Sequence, residues 1–130
     1  MDIYNKPLME LLYEAATVHR EEHDPNTVQV STLISIKTGG CPEDCAYCPQ
    51  AARYHTKVEG NDLMTVTQVK AQAMSAKSSG SSRVCMGAAW RNVKDGPEFE
   101  QVLEMVRTIN KMDMEVCCTL GMLTENQAKR

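Results

Sequence analysis

Three short strand-like runs, the β-branched VQVSTLISIK (Val28 to Lys37), RVCMGAA (Arg83 to Ala89) and EVCCTL (Glu115 to Leu120), are separated by segments with helical periodicity. This alternation predicts parallel strands joined by helical crossovers, an α/β arrangement. A leading helix is expected from Pro7 to about Glu22, where Leu8, Leu11, Leu12, Ala15, Ala16 and His19 recur at helical spacing before Asp24-Pro25-Asn26 breaks the pattern. Thr65 and Gln68 form a capping box for a second helix, with Val66, Val69, Ala73 and Ala76 towards one side, that ends near Ser78-Ser79-Gly80. Pro97 suits the first turn of a third, with Phe99, Val102, Leu103, Val106 and Ile109 as its apolar stripe. Thr124 and Gln127 mark the start of a fourth.

The first strand runs directly into Gly39-Gly40 and then Cys41-Pro42-Glu43-Asp44-Cys45-Ala46-Tyr47-Cys48, a Cys-x3-Cys-x2-Cys cluster. Paired glycines let the backbone turn sharply beside a bound group. Structural zinc takes four closed ligands, and iron–sulfur clusters usually take four cysteines. Three thiolates on a four-iron cube leave one iron open to a small molecule. The bland alternatives are a zinc knuckle, or buried thiols with no ligand.

Strand alternation sorts the other cysteines. Helices packed on the sheet need an apolar floor, which assigns Val84, Met86, Val116, Cys118 and Leu120 to the helix side. Arg83, Cys85, Cys117 and Thr119 then face the opposite, interior side, so two cysteines of adjacent strands share one space beside a buried arginine. Cys118 reads as a small buried hydrophobe. The same inert reading stands for Cys85 and Cys117, against a second cluster held partly by both. Lys37, Ser31 and Ser35 line that interior as well and, with Arg83, could tune a cluster's charge through hydrogen bonds; for the two serines ordinary polar packing is the alternative.

With 130 residues and a formal net charge of −3, the chain suits one small domain and gives no electrostatic reason to expect nucleic acid or an anionic membrane as partner. No apolar run is long enough to span a bilayer, and Met1 to Lys6 lacks the order of a secretory signal. The default expectation is cytoplasmic, where clustered cysteines act as metal ligands rather than disulfides. His19, His23 and His55 sit in polar company and read as solvated; Met105, Met112 and Met114 read as helix core and its edge. Three parallel strands cannot bury both faces, so the expectation is the front part of a longer domain.

Tyr47, directly before the third cysteine, and the cysteine spacing resemble the radical S-adenosylmethionine superfamily. Within it, SIKTGG followed by CPEDCAYCPQAARY, then RVCMGAAW and EVCCTLG, resemble the biotin synthase family from about Val28 to Arg130. The resemblance implies the N-terminal part of a TIM-type (β/α) barrel, truncated after its third strand: residues 28–130, preceded by a helix and connector at 1–27. It implies a [4Fe–4S] cluster on Cys41, Cys45 and Cys48, with S-adenosyl-L-methionine against Tyr47, Gly87 and Ala88. Close strand–helix packing is the plainer role for Gly87-Ala88-Ala89. Cys85 and Cys117 become two of three cysteine ligands of a [2Fe–2S] cluster, Cys117 being the one in register with E-x-C-x-T-L-G. The family's third such cysteine, its arginine ligand and most substrate-binding asparagines lie on later strands, so the second cluster is incomplete here.

By the same resemblance the activity is that of a sulfurtransferase. An electron from the reduced cluster splits the cofactor to a 5′-deoxyadenosyl radical, and sulfide is inserted into dethiobiotin to give biotin. A flavodoxin-type donor and a homodimer are the implied partners. The alternatives are another radical enzyme of similar barrel (hydrogenase-maturation or methylornithine type), a zinc-binding or electron-carrying module, and a non-catalytic fragment.

Overall fold

A computed structural model describes residues 2–130; Met1, the first residue of the expected N-terminal segment, lies outside the described residues. The elements follow the order α1 (Leu8–Glu22), β1 (Ser31–Lys37), α2 (Val66–Ser78), β2 (Arg83–Ala88), α3 (Pro97–Asn110), β3 (Glu115–Thr119) and α4 (Glu125–Ala128). The strands form one parallel sheet in the order β1-β2-β3.

The helix boundaries follow from local chemistry. The Thr65 side chain accepts from the Gln68 amide and the Gln68 side chain returns the bond, so both halves of the predicted capping box are present; Thr124 and Gln127 repeat the arrangement at α4. Pro97 occupies the first turn of α3, where its missing N–H costs nothing. The first strand is shorter than the VQVSTLISIK run suggests. Ser31 is already paired with Arg83, the first residue of β2, so the residues before it have no parallel partner; the Val30 carbonyl still accepts from Ser82 and Arg83.

One face of the sheet carries the core. Ile34, Ile36, Val84, Met86 and Leu120 are buried against Val69 and Ala73 of α2 and Phe99, Val102, Met105 and Ile109 of α3. Complete burial of side chains such as Phe99 and Ile109 contributes roughly 1.5–3 kcal/mol each. Val116 and Cys118 lie at the margin of that core with Met112, while Met114 is buried within it; both methionines follow the end of α3 rather than belonging to the helix.

The opposite face presents Ser31, Leu33 and Ser35 of β1, Arg83, Cys85 and Gly87 of β2, and Glu115, Cys117 and Thr119 of β3. Leu33 there is 74% exposed. The first helix forms with the expected span but buries none of its residues, since among the described residues nothing covers Leu8, Leu12, Tyr13 or Val18.

Candidate metal centre

The cysteine loop leaves β1 through Gly39 and Gly40, both at positive φ (72° and 69°). A side chain on Gly39 would put its Cβ 2.9 Å from the Cα of Gly60, so glycine is required there for spacing as well as for conformation. The Gly39 N–H donates to the Gln50 side-chain carbonyl at 2.5 Å. A short parallel bridge then closes the loop: Cys41 N–H donates to the Gln50 carbonyl (3.0 Å), and Ala52 N–H to the Cys41 carbonyl (2.8 Å). Inside it, Cys48 N–H donates to Cys45 O at 2.9 Å and Ala51 N–H to Cys48 O at 3.3 Å.

Backbone bonds therefore hold Cys41, Cys45 and Cys48 within one compact loop. All three are free thiols and half-buried. Tyr47 points outward, its side chain 91% exposed.

Acidic residues fasten the loop from outside. Glu43 accepts from the Arg91 guanidinium at 2.6 Å, across 48 residues of sequence. Asp44 pairs with Arg53 and accepts from the Tyr54 hydroxyl at 2.6 Å. That bond keeps the Tyr54 phenol protonated above its ordinary range, because ionisation would place two anions together.

On the open sheet face, Cys85 and Cys117 are direct register partners of β2 and β3. Burial, then the neighbouring Cys117 thiol, push the Cys85 thiol up. One row below, Arg83 and Glu115 are also register partners and form an ion pair at 2.5 Å. Gln29 adds a second donor to the carboxylate at 2.7 Å. The Arg83 bond, then the Gln29 bond, hold the Glu115 carboxyl below its usual range.

The arginine expected to be buried is not: its side chain keeps 34% exposure, its charge met by Glu115, and only Nε is buried without a partner. Cys118 takes the other face as alternation requires, and burial pushes its thiol up to about 11. Gly87 and Ala88 lie half-buried at the end of β2, two and three residues beyond Cys85.

The donor chemistry fits a thiophilic centre: three unpaired thiols lie on one closed loop, with two more on neighbouring strands. Their arrangement is not yet a ligand cage. Among the described residues, no three His, Cys, Asp or Glu side chains converge closely enough to hold a metal ion. His19, His23 and His55 are exposed. Sequence reasoning found the cysteines and glycines but missed Glu43, Arg91, Gln50 and the pairing of Glu115 with Arg83. Only the strand alternation that placed Glu115 on the Arg83 face carried a hint of these.

No family model matches the chain. It is 87% identical over 128 residues to biotin synthase of Flavobacterium psychrophilum, covering 98% of this chain and 35% of that protein. Identity to biotin synthase of Flavobacterium johnsoniae is also 87%, with the same coverage of both chains. Over 130 residues it is 84% identical to biotin synthase of Christiangramia forsetii, covering 100% of this chain and 36% of that one. The chain thus spans about a third of the length of the curated relatives it matches.

Proposed function

We propose, for a chain similar in sequence to biotin synthases along nearly its whole length, that it carries the cofactor-cleaving part of a radical S-adenosylmethionine enzyme. In this reading residues 28–130 supply the first three strands of a TIM-type barrel, with residues 1–27 as an N-terminal helix and connector. The observation that carries the reading is the closed loop with three free thiols directly after β1. The carboxyl end of a parallel strand is where barrels of this type keep their chemistry.

Cys41, Cys45 and Cys48 would hold a [4Fe–4S] cluster, leaving one iron for the amino and carboxylate groups of S-adenosyl-L-methionine. When bound, that cluster supplies the electron for reductive cleavage of the cofactor's C–S bond.

The chain's own residues have the remaining tasks. Gly39 and Gly40 let the loop turn back on β1, and Gln50 caps the turn. Tyr47, free in solvent, is available to close over an adenosyl group, and Gly87 and Ala88 offer backbone at the end of the neighbouring strand. Cys85 and Cys117 already share a row, and would form half of a four-ligand [2Fe–2S] site as sulfur source. Glu115 offsets the Arg83 charge beside them. The reaction proposed is sulfur insertion into dethiobiotin, in the cytoplasm, with a flavodoxin-type electron donor and a homodimer as the working unit.

Anaerobic reconstitution with iron and sulfide tests the donor set. Binding of about four irons per chain, lost when Cys41, Cys45 and Cys48 are each changed to Ala but kept in Cys118→Ala, is the expected result. Zinc retained in preference to iron, or iron uptake indifferent to those three cysteines, contradicts it.

A further inference from the structure

The cysteine loop is not held by its own backbone bonds alone, and its outside anchor traces back to the end of β3. Arg91 lies just past β2. Its backbone is fixed from one side: the Met122 N–H donates to the Arg91 carbonyl at 2.8 Å, and Asn92 bridges Gly121 in antiparallel fashion. The approach is so close that a Cβ on Gly121 would fall 2.2 Å from the Arg91 oxygen. On the other side its guanidinium holds Glu43, between the first and second cysteines of the cluster. Pro42 and Trp90 line one cleft together with Arg91, beside the Glu43–Arg91 pair.

We propose that Arg91 is a positioning residue: a latch, anchored by the Gly121–Met122 turn, that fixes the cysteine loop against the exit of the sheet through Glu43. Its value to the protein rests on the loop holding a metal centre, but the latch itself does not. It couples the strand carrying Cys117 to the loop carrying Cys41, Cys45 and Cys48. The pair is exposed to solvent, with side-chain exposures of 56% for Arg91 and 35% for Glu43. Its release should therefore shift loop opening by about two- to five-fold, the range expected of an exposed pair.

The test uses the metal-free chain and alkylation by iodoacetamide, read cysteine by cysteine by mass spectrometry. Arg91→Gln and Glu43→Gln should each speed alkylation of Cys41, Cys45 and Cys48 about two- to five-fold and leave Cys85 unchanged. Arg91→Lys and the charge-swapped pair Glu43→Arg with Arg91→Glu should restore the slow rates, and 1 M salt should erase the differences by screening. Unchanged loop rates overturn the latch. So does an equal rise at all six cysteines, which reports loss of fold, and so does failure of the swapped pair to rescue. Iron uptake measured on the same variants separates the two readings: a latch found in a chain that binds no iron leaves the latch standing and removes the metal centre.

Discussion

Gly121→Ala should destabilise the chain well beyond the usual effect of filling a left-handed glycine. Gly121 has φ 77°, and its added Cβ would lie 2.2 Å from the Arg91 oxygen and 2.5 Å from its carbonyl carbon. Ordinary contact needs about 3.5 Å, so the two backbones must part by about 1 Å. The conformational term for an L-residue in this region is about 1–2 kcal/mol. Separation also strains the Met122 N–H to Arg91 carbonyl bond, worth about 1 kcal/mol. Gly80 provides the control, because it too has positive φ (91°) but nothing lies within 4 Å of its Cβ position. Gly80→Ala should show the conformational term alone. The gap between the variants is thus about 1 kcal/mol, or roughly 0.5 M in urea midpoint at an ordinary m-value. Urea unfolding followed by circular dichroism measures it. Coincident midpoints for the two variants would refute the claim that the β3 exit is packed on the Arg91 backbone.

Other expectations are as direct. With its thiol near 11, Cys118 should be ionised to about one part in a thousand at pH 8 and alkylate at least about a hundred-fold more slowly than a free thiol in the folded chain; equal rates at Cys117 and Cys118 would contradict the assignment of their faces. Because Glu115 is held below its unfolded value of 4.5, its stabilising effect is present above that pH and lost as pH falls through the lowered native value. Arg83→Gln should flatten that part of the stability–pH curve in acid titration. Thr65→Ala removes the side-chain acceptor of the Gln68 N–H while leaving the backbone N–H of residue 65 bonded to the Gln68 side chain, and should cost about 1 kcal/mol in the same urea assay.

Much of this was legible in sequence because it depends on short-range rules. Alternation along β2 and β3 separated Cys85 and Cys117 from Cys118, and the Thr65 and Thr124 caps set two helix starts to the residue. What failed depends on partners far along the chain. Arg83 was expected to be buried because the sheet face opposite the helices was read as an interior, yet that face is open and Glu115, 32 residues later, meets its charge there. The Glu43–Arg91 pair joins residues 48 apart, and no local pattern announces it. Apolar spacing correctly gave α1 its helix, but amphipathicity does not say whether anything covers the apolar side, and here none of its residues is buried.

The spacing of Cys41, Cys45 and Cys48 gives a donor set, and the bonds from Gly39, Cys41 and Ala52 give it a closed frame. The thiols do not converge among the described residues, so gathering them is left to the metal centre itself. That is consistent with metal binding and local ordering being one event.

The deciding measurement is electron paramagnetic resonance of the anaerobically reconstituted and reduced chain, with and without S-adenosyl-L-methionine. The account predicts a reduced [4Fe–4S] signal that changes on addition of the cofactor and is absent when Cys41, Cys45 and Cys48 are changed to Ala. A cluster signal indifferent to S-adenosyl-L-methionine would contradict it, because a fully ligated cluster has no open iron to offer.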